Sequence, residues 1–328
     1  MKIKKSWLVA PIVCTLIGTG VQPVINRAFA QTTPAKTQLE NQLSPKLKST
    51  SQIKLILAGA QPRQKLRFTP QRGQKETAEM IMDMDMSMSV NGNRAPSFKM
   101  PGTKMKFNTI INKVEPNGDI NYNFSYTNVD LVGQSDLPPA ALEKMRSEIK
   151  KIQGLRGSAI VDNMGRTKKA NFVVPENLNP ALKQMMDQMA KSIEQLSAQV
   201  PLQAIGKGGK WQVISQINFN GIKLQQTANY ELVGIQNDIA TMNISLTQRA
   251  GGKQKIVVPQ MPKGATMTLQ SYNGTGTGQA KISLKRIMPL TTSLKTNTDV
   301  KMLVSEASSQ QKTMLEQQIS IQMNLKSN

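Results

Sequence analysis

Residues Met80 to Val90 read MIMDMDMSMSV, with a methionine at every second position from Met80 to Met88. Thioether sulfur is a soft, neutral ligand suited to Cu(I), and it is also a pliable apolar filler. Side chains alternate along a β-strand, so Met80, Met82, Met84, Met86 and Met88 share one face at steps of roughly 6.8 Å. Ile81, Asp83, Asp85, Ser87 and Ser89 take the other face. Steps that long place neighbouring sulfurs poorly for one ion unless another strand helps, and the chain has no histidine to complete a site. Ordinary core is therefore the first reading of the stripe and the adaptable wall of a ligand cavity the second. Cu(I) binding is the remote alternative.

Other residues of chemical type lead to less. Asp83 and Asp85 project in parallel from one strand, whereas a glycosidase needs carboxyl groups on opposite sides of the scissile bond. Ser147 with Lys150 and Ser51 with Lys54 have serine–lysine spacing but no accompanying Lys-Thr-Gly. The run NGTGTGQA (Asn273 to Ala280) lacks the Lys-Ser/Thr of a phosphate loop. Its glycines suit a bend, or a strand lying close under a helix.

The first thirty residues read as a secretory signal. Lys2, Lys4 and Lys5 precede an apolar stretch from Trp7 to Val21, and Ala28-Phe29-Ala30 predicts cleavage between Ala30 and Gln31. Pro11, Gly18, Gly20 and Pro23 interrupt the stretch and count against a transmembrane anchor. Cys14 lies within the apolar region behind Val13, which does not suit lipidation. Cleavage leaves 298 of 328 residues, with no cysteine and no histidine. Disulfides, thiol or imidazole catalysis and Cys/His zinc sites are then excluded, and no cofactor is implied. Loss of Lys2, Lys4, Lys5 and Arg27 brings the net charge from +22 to +18. An exported protein this basic is drawn to anionic lipid headgroups or envelope polymers. Nucleic acid is excluded as a partner by compartment, by few aromatics and by the lack of any nucleic-acid module.

Organisation follows from composition and period. Residues 31–60 read as a flexible tether, and 61–328 as a single β-rich domain. Within it, Asn220-Gly221 favours a two-residue hairpin turn. Folding there sets Phe219 opposite Ile222, Ile217 opposite Leu224, Ser215 opposite Gln226, Val213 opposite Ala228 and Trp211 opposite Tyr230. Ile120, Tyr122, Phe124 and Tyr126 share one face of another strand. Two segments carry helical spacing instead. In one, Leu142, Met145, Ile149 and Ile152 recur at steps of three and four. The other begins at Asn179-Pro180 and carries Leu182, Met185, Met186, Met189, Ile193 and Leu196. A faint repeat relates Val114 to Val233, an offset of 119, and Gly157 to Gly278, an offset of 121. The expected fold is α+β and mostly β. A strongly bent, half-barrel-like antiparallel sheet is covered by two amphipathic helices, and the repeat suggests two related halves.

The segment PLQAIGKGGKW (Pro201 to Trp211) follows a G-x-A-x-V-D-x-x-G strand (Gly157 to Gly165). It precedes a G-x-G strand running into RIMPL (Gly276 to Leu290). This order resembles that of uncharacterised exported β-rich proteins of bacterial envelopes, a domain of unknown function, over roughly residues 66 to 304. In architecture it looks like the lipoprotein-carrier half-barrels, which implies helices on the concave side of a curved sheet. The resemblance brings no catalytic residues with it.

The expected function is accordingly non-enzymatic and outside the cytoplasm, in the periplasm or the medium. A lipid or other apolar ligand is expected between sheet and helices, lined by Met80, Met82, Met84, Met86, Met88, Met185, Met186, Met189, Ile193 and Trp211. Lys168, Lys169, Lys207, Lys210, Lys253 and Lys255 would meet anionic headgroups or polymers through peripheral membrane contact, with no transmembrane helix in the mature chain. A structural or assembly factor without a cavity is the alternative. A cavity of at least ~300 Å³ favours the ligand, and a filled interior favours assembly.

Overall fold

The two strands that flank Asn220-Gly221 in the sequence pair in the register that alternation dictates. Strand β9 (Lys210–Phe219) meets β10 (Ile222–Gln236) with Phe219 opposite Ile222, Ile217 opposite Leu224 and Trp211 opposite Tyr230. The computed structural model describes residues 51–96, 98–173, 199–219, 222–256, 265–305 and 312–328.

The other strands are β1 (Gln52–Leu57), β2 (Lys75–Val90), β3 (Asn93–Arg94), β4 (Phe98–Lys99), β5 (Gly102–Val114), β6 (Ile120–Val132), β7 (Arg156–Val161) and β8 (Thr167–Val173). They continue with β11 (Ile239–Ala250), β12 (Gln254–Ile256), β13 (Thr266–Ser283), β14 (Thr291–Ser305) and β15 (Lys312–Ser327). All belong to one antiparallel sheet in the order β1-β9-β10-β11-β13-β14-β15-β2-β5-β6-β7-β8, with β3, β4 and β12 attached at its side. The sheet is large and not closed. Among the described residues there is one helix, α1 (Pro139–Lys150). Two were expected. Of the second segment, 179–200, residues 179–198 lie outside the described residues, as does the expected signal sequence, and Gln199 and Val200 are not helical. Gln52–Leu57, assigned by composition to the tether, is instead an edge strand whose Ile53 and Leu55 face Val213 and Trp211.

The sheet curls around its apolar face. Ile120, Tyr122 and Phe124 of β6 share one buried cluster with Trp211, Val213, Ala228 and Met242 from the far end of the strand order. Residues so distant in the ladder share one cluster only if the sheet bends back on itself. A strap between β1 and β2 spans the opening. Gln64 bridges Ile205, Phe68 N–H donates to the Asn163 carbonyl (2.8 Å), Thr69 N–H to Leu284 (2.6 Å) and Gly73 N–H to Ile111 (2.8 Å). Its Leu66 and Phe68 are fully buried in the same cluster. The outward face is polar: Thr275, Thr277, Gln279 and Lys281 on β13, Lys295, Asn297, Asp299 and Lys301 on β14, and Gln318 and Gln322 on β15 are all exposed. A lipid-facing barrel wall has the reverse polarity. This wall is built for water.

Two hairpins of the sheet have matching registers. In β5–β6, Ile111 faces Tyr122 beside a bulge; in β10–β11, Leu232 faces Met242 beside a bulge. Tyr122 then faces Ala159 of β7, and Met242 faces Ala280 of β13. These pairs are spaced by 121, 120 and 121 residues. The connection Asn237-Asp238 takes positive φ at both positions, +49° and +62°, as a two-residue hairpin turn requires. Because it is shorter than the loop from Glu115 to Asp119, Val114 corresponds to Ile235 by ladder position. The sequence alignment had matched it to Val233.

The glycine of each G-x-A strand is needed for close approach. A methyl at Gly278 would strike the Ser293 carbonyl and lie 3.0 Å from Leu294 Cα; at Gly157 it would strike the Phe124 ring. Gly278→Ala is expected to cost about 1–3 kcal/mol by overpacking. Gly251→Ala, where nothing lies within 4 Å, should stay within about 0.5 kcal/mol of the parent. Equilibrium denaturation of the two variants checks the contrast.

Candidate ligand cavity

The inward faces of β5 and β6 are aromatic. Phe107 pairs with Tyr126, Thr109 with Phe124 and Ile111 with Tyr122 across the ladder. Phe124 packs edge-on against Tyr126 (centroids 6.4 Å) and Phe172 (5.0 Å). Helix α1 covers the neighbouring stretch. Pro139 starts it, and Met145 and Ile149, one turn apart on one face, bury themselves with Met105, Val129 and Leu131. Arg146, on its outer side, donates from Nε to Asp130 (3.1 Å). The Leu131 N–H and this guanidinium hold the Asp130 carboxyl below its ordinary range.

Beneath these strands lies a cavity of about 180 Å³. Phe107, Tyr122, Phe124 and Tyr126 form one side with Met80, while Ile282, Ile287, Met288, Met323 and Leu325 form the other. No lining residue is charged. Thr109 also faces it, 4% exposed, and its Oγ1 is buried without a hydrogen-bond partner. Burial pushes the Tyr122 and Tyr126 phenols up to about 12, with the Glu76 charge adding to the effect at Tyr122. The far wall is anchored by Glu76, itself 2% exposed. Its carboxylate accepts the N–H groups of Ile287 (3.1 Å) and Met288 (2.8 Å) and an amide hydrogen of Gln74 (3.1 Å). Arg286 Nε stands 3.7 Å from it.

The methionine stripe does face inward, but its members divide. Met80 lines the cavity. Met84 is buried among Ile222, Leu224, Met267, Val300 and Ile319, with Met86 partly buried against the same group. Met82 and Met88 are half-buried. The ladder sets Met323 opposite Met82 and Met105 opposite Met80, neighbours that the sequence order conceals. Among the described residues no group of three or more His, Cys, Asp or Glu could hold a metal ion. Trp211 lies away from the cavity in the core, stacked on Tyr230 (5.2 Å) and donating to the Gln199 carbonyl (2.9 Å). Met185, Met186, Met189 and Ile193 fall outside the described residues.

The six lysines are exposed but do not share one place. Lys255 stands opposite Thr268, near the start of β13. Lys207 adjoins Gly208, which donates to Leu232; Leu232 faces Met242, which faces Ala280. The twelve residues from Thr268 to Ala280 span roughly 40 Å of strand. Lys168 is held by Asp119 (2.6 Å) and Lys210 faces Glu231 (3.6 Å). The sequence singled out the methionines rather than the aromatic wall. Period two at Tyr122, Phe124 and Tyr126 was the signal available, and it identifies an inward face without saying that the face borders a void.

The chain is thus a rolled antiparallel sheet with an apolar interior, a helix over the inner face of β5–β6 and an uncharged cavity. Residues 148–289 match the model of a family of unknown function (DUF6263). That stretch holds the Gly157–Gly165 and Pro201–Trp211 motifs and ends at Pro289 of the RIMPL segment, in agreement with the resemblance to an uncharacterised β-rich family. It begins beyond β2, β5 and β6, so the aromatic side of the cavity lies outside it. None of the curated proteins matches this chain. Among solved structures, the crystal structure of Pseudomonas aeruginosa OpdL is similar at 7% identity and a TM-score of 0.19, over 77% of this chain and 99% of that one. A score that low carries no argument. Among the described residues no helix is long and apolar enough to cross a membrane.

Proposed function

We propose that this chain is an exported, non-enzymatic envelope protein, periplasmic or extracellular, that shelters the apolar part of a lipid or similar ligand beneath β2, β5 and β6. The observation that carries the reading is an uncharged cavity of about 180 Å³ lined by aromatic, aliphatic and thioether side chains, in an interior where close packing is the norm. The volume is below the ~300 Å³ at which pockets for drug-sized molecules begin. It suits a ring or a short acyl stretch, with the rest of the ligand outside. A mature charge of +18 draws the protein toward anionic headgroups or envelope polymers.

Native extraction of the envelope followed by mass spectrometry tests the proposal. The expected result is one class of apolar molecule recovered with the protein in near-stoichiometric amount. Protein that is repeatedly free of lipid and binds none on addition would instead make it a structural or assembly factor acting through its surface.

A further inference from the structure

The polar atoms of the cavity narrow the kind of molecule it can accept, an inference that rests on the ligand-binding reading. Thr109 stands opposite Glu76 in the β2–β5 ladder; it lines the cavity, and its hydroxyl has no protein partner. The residue, rather than the hydroxyl atom, borders the void, and a buried hydroxyl left unpaired carries a desolvation cost that a turn of the side chain toward a hydrogen-bonding group on a bound molecule would remove. Tyr122 and Tyr126, on the adjacent strand, bring two phenols to the same lining. Everything else around the void is hydrocarbon, thioether or aromatic ring, apart from the hydroxyls of Thr167 and Thr292.

Charge decides what the bound group cannot be. A buried carboxylate, Glu76, stands across the ladder from Thr109. The cation beside it, Arg286, faces Glu76 itself. An entering carboxylate would give up its water, meet no cation among the lining residues and be repelled by Glu76. We infer that the cavity takes a neutral molecule with a single hydroxyl or carbonyl, an alkanol-like or phenol-like group about the size of one ring, hydrogen-bonded to Thr109. It rejects carboxylates of the same shape. The size agrees, since an apolar cavity of ~150 Å³ accommodates benzene.

Calorimetric titration of the purified protein with 4-methylphenol, toluene and 4-methylbenzoate tests this. One added hydrogen bond predicts that 4-methylphenol binds about tenfold more tightly than toluene, with no binding of 4-methylbenzoate. In Thr109→Val, which keeps the side-chain shape, the phenol should lose most of that advantage while toluene binds as before. Thr109→Ser should retain it. Equal binding of phenol and toluene, a preference that persists in Thr109→Val, or tight binding of the benzoate overturns the inference and leaves an apolar cavity standing. Failure of all three probes to bind removes the ligand-binding reading and the inference with it.

Discussion

Replacing Glu76 with alanine is expected to lower the free energy of unfolding by about 3–5 kcal/mol, the scale for removing one member of a buried charge pair. Glu76 is 2% exposed, and its two oxygens accept three hydrogen bonds, from Ile287, Met288 and Gln74. Arg286 Nε, also buried, has no hydrogen bond and depends on the nearby carboxylate for charge balance. The alanine variant leaves that guanidinium uncompensated and orphans the backbone N–H groups of Ile287 and Met288. Glu76→Gln retains an acceptor of the same shape and should cost less than the alanine. Because Ile287 and Met288 form part of the cavity wall, ligand binding should weaken along with stability. Denaturant unfolding followed by fluorescence measures the effect, since Trp211 is fully buried and stacked on Tyr230. A loss below about 1 kcal/mol would mean that water replaces the carboxylate at little cost, and the anchor role would fall.

How far the fold could be read in advance depended on the range of each interaction. The β9–β10 register follows from a turn dipeptide and an alternating pattern within some twenty residues, and it formed as read. Helix α1 declared itself by spacing and by its leading prolines. The inward orientation of the methionines followed from period two. Their partners did not, because Met323 and Met105 reach Met82 and Met80 only through strand order, which no local pattern specifies. The same holds for the strap. Leu66 and Phe68 alternate as in a strand, yet they lie in the strap, and their burial depends on Asn163, Leu284 and Ile111, all distant in sequence. Gln52–Leu57 follows a polar run and was grouped with it, although β9 offers the edge it needs. The glycines of NGTGTGQA were read as a bend or a strand beneath a helix. They lie mid-strand in β13, where Gly274, Gly276 and Gly278 leave room for Gln248, Thr296 and Leu294 of the flanking strands. A cavity is harder still to foresee, being a shortage of atoms where several distant segments meet.

Alkaline pH should unfold this protein cooperatively between about pH 10 and pH 12. Tyrosine is neutral while protonated, so burial favours the protonated form. Burial pushes Tyr122, Tyr126 and Tyr230 up to about 12 from an ordinary value of 10.0, with Tyr126 and Glu76 adding to the effect at Tyr122. Tyr272 is raised by burial as well. The folded chain therefore holds these protons more tightly than the unfolded chain. Their contribution is fully present below pH 10 and is lost as pH climbs toward 12. Each shift of this size is worth roughly 3 kcal/mol, and the three together on the order of 8 kcal/mol, comparable with the whole stability of a typical domain. All four tyrosines of the chain are in this group, so no freely titrating phenol obscures the reading. Phenolate absorbance should rise in one steep step that coincides with loss of the β-sheet circular dichroism, and Tyr122→Phe should move that step to higher pH. Phenolate formed near pH 10 while the sheet signal stays intact would show that water reaches these side chains, and the burial assigned to the phenols would fall.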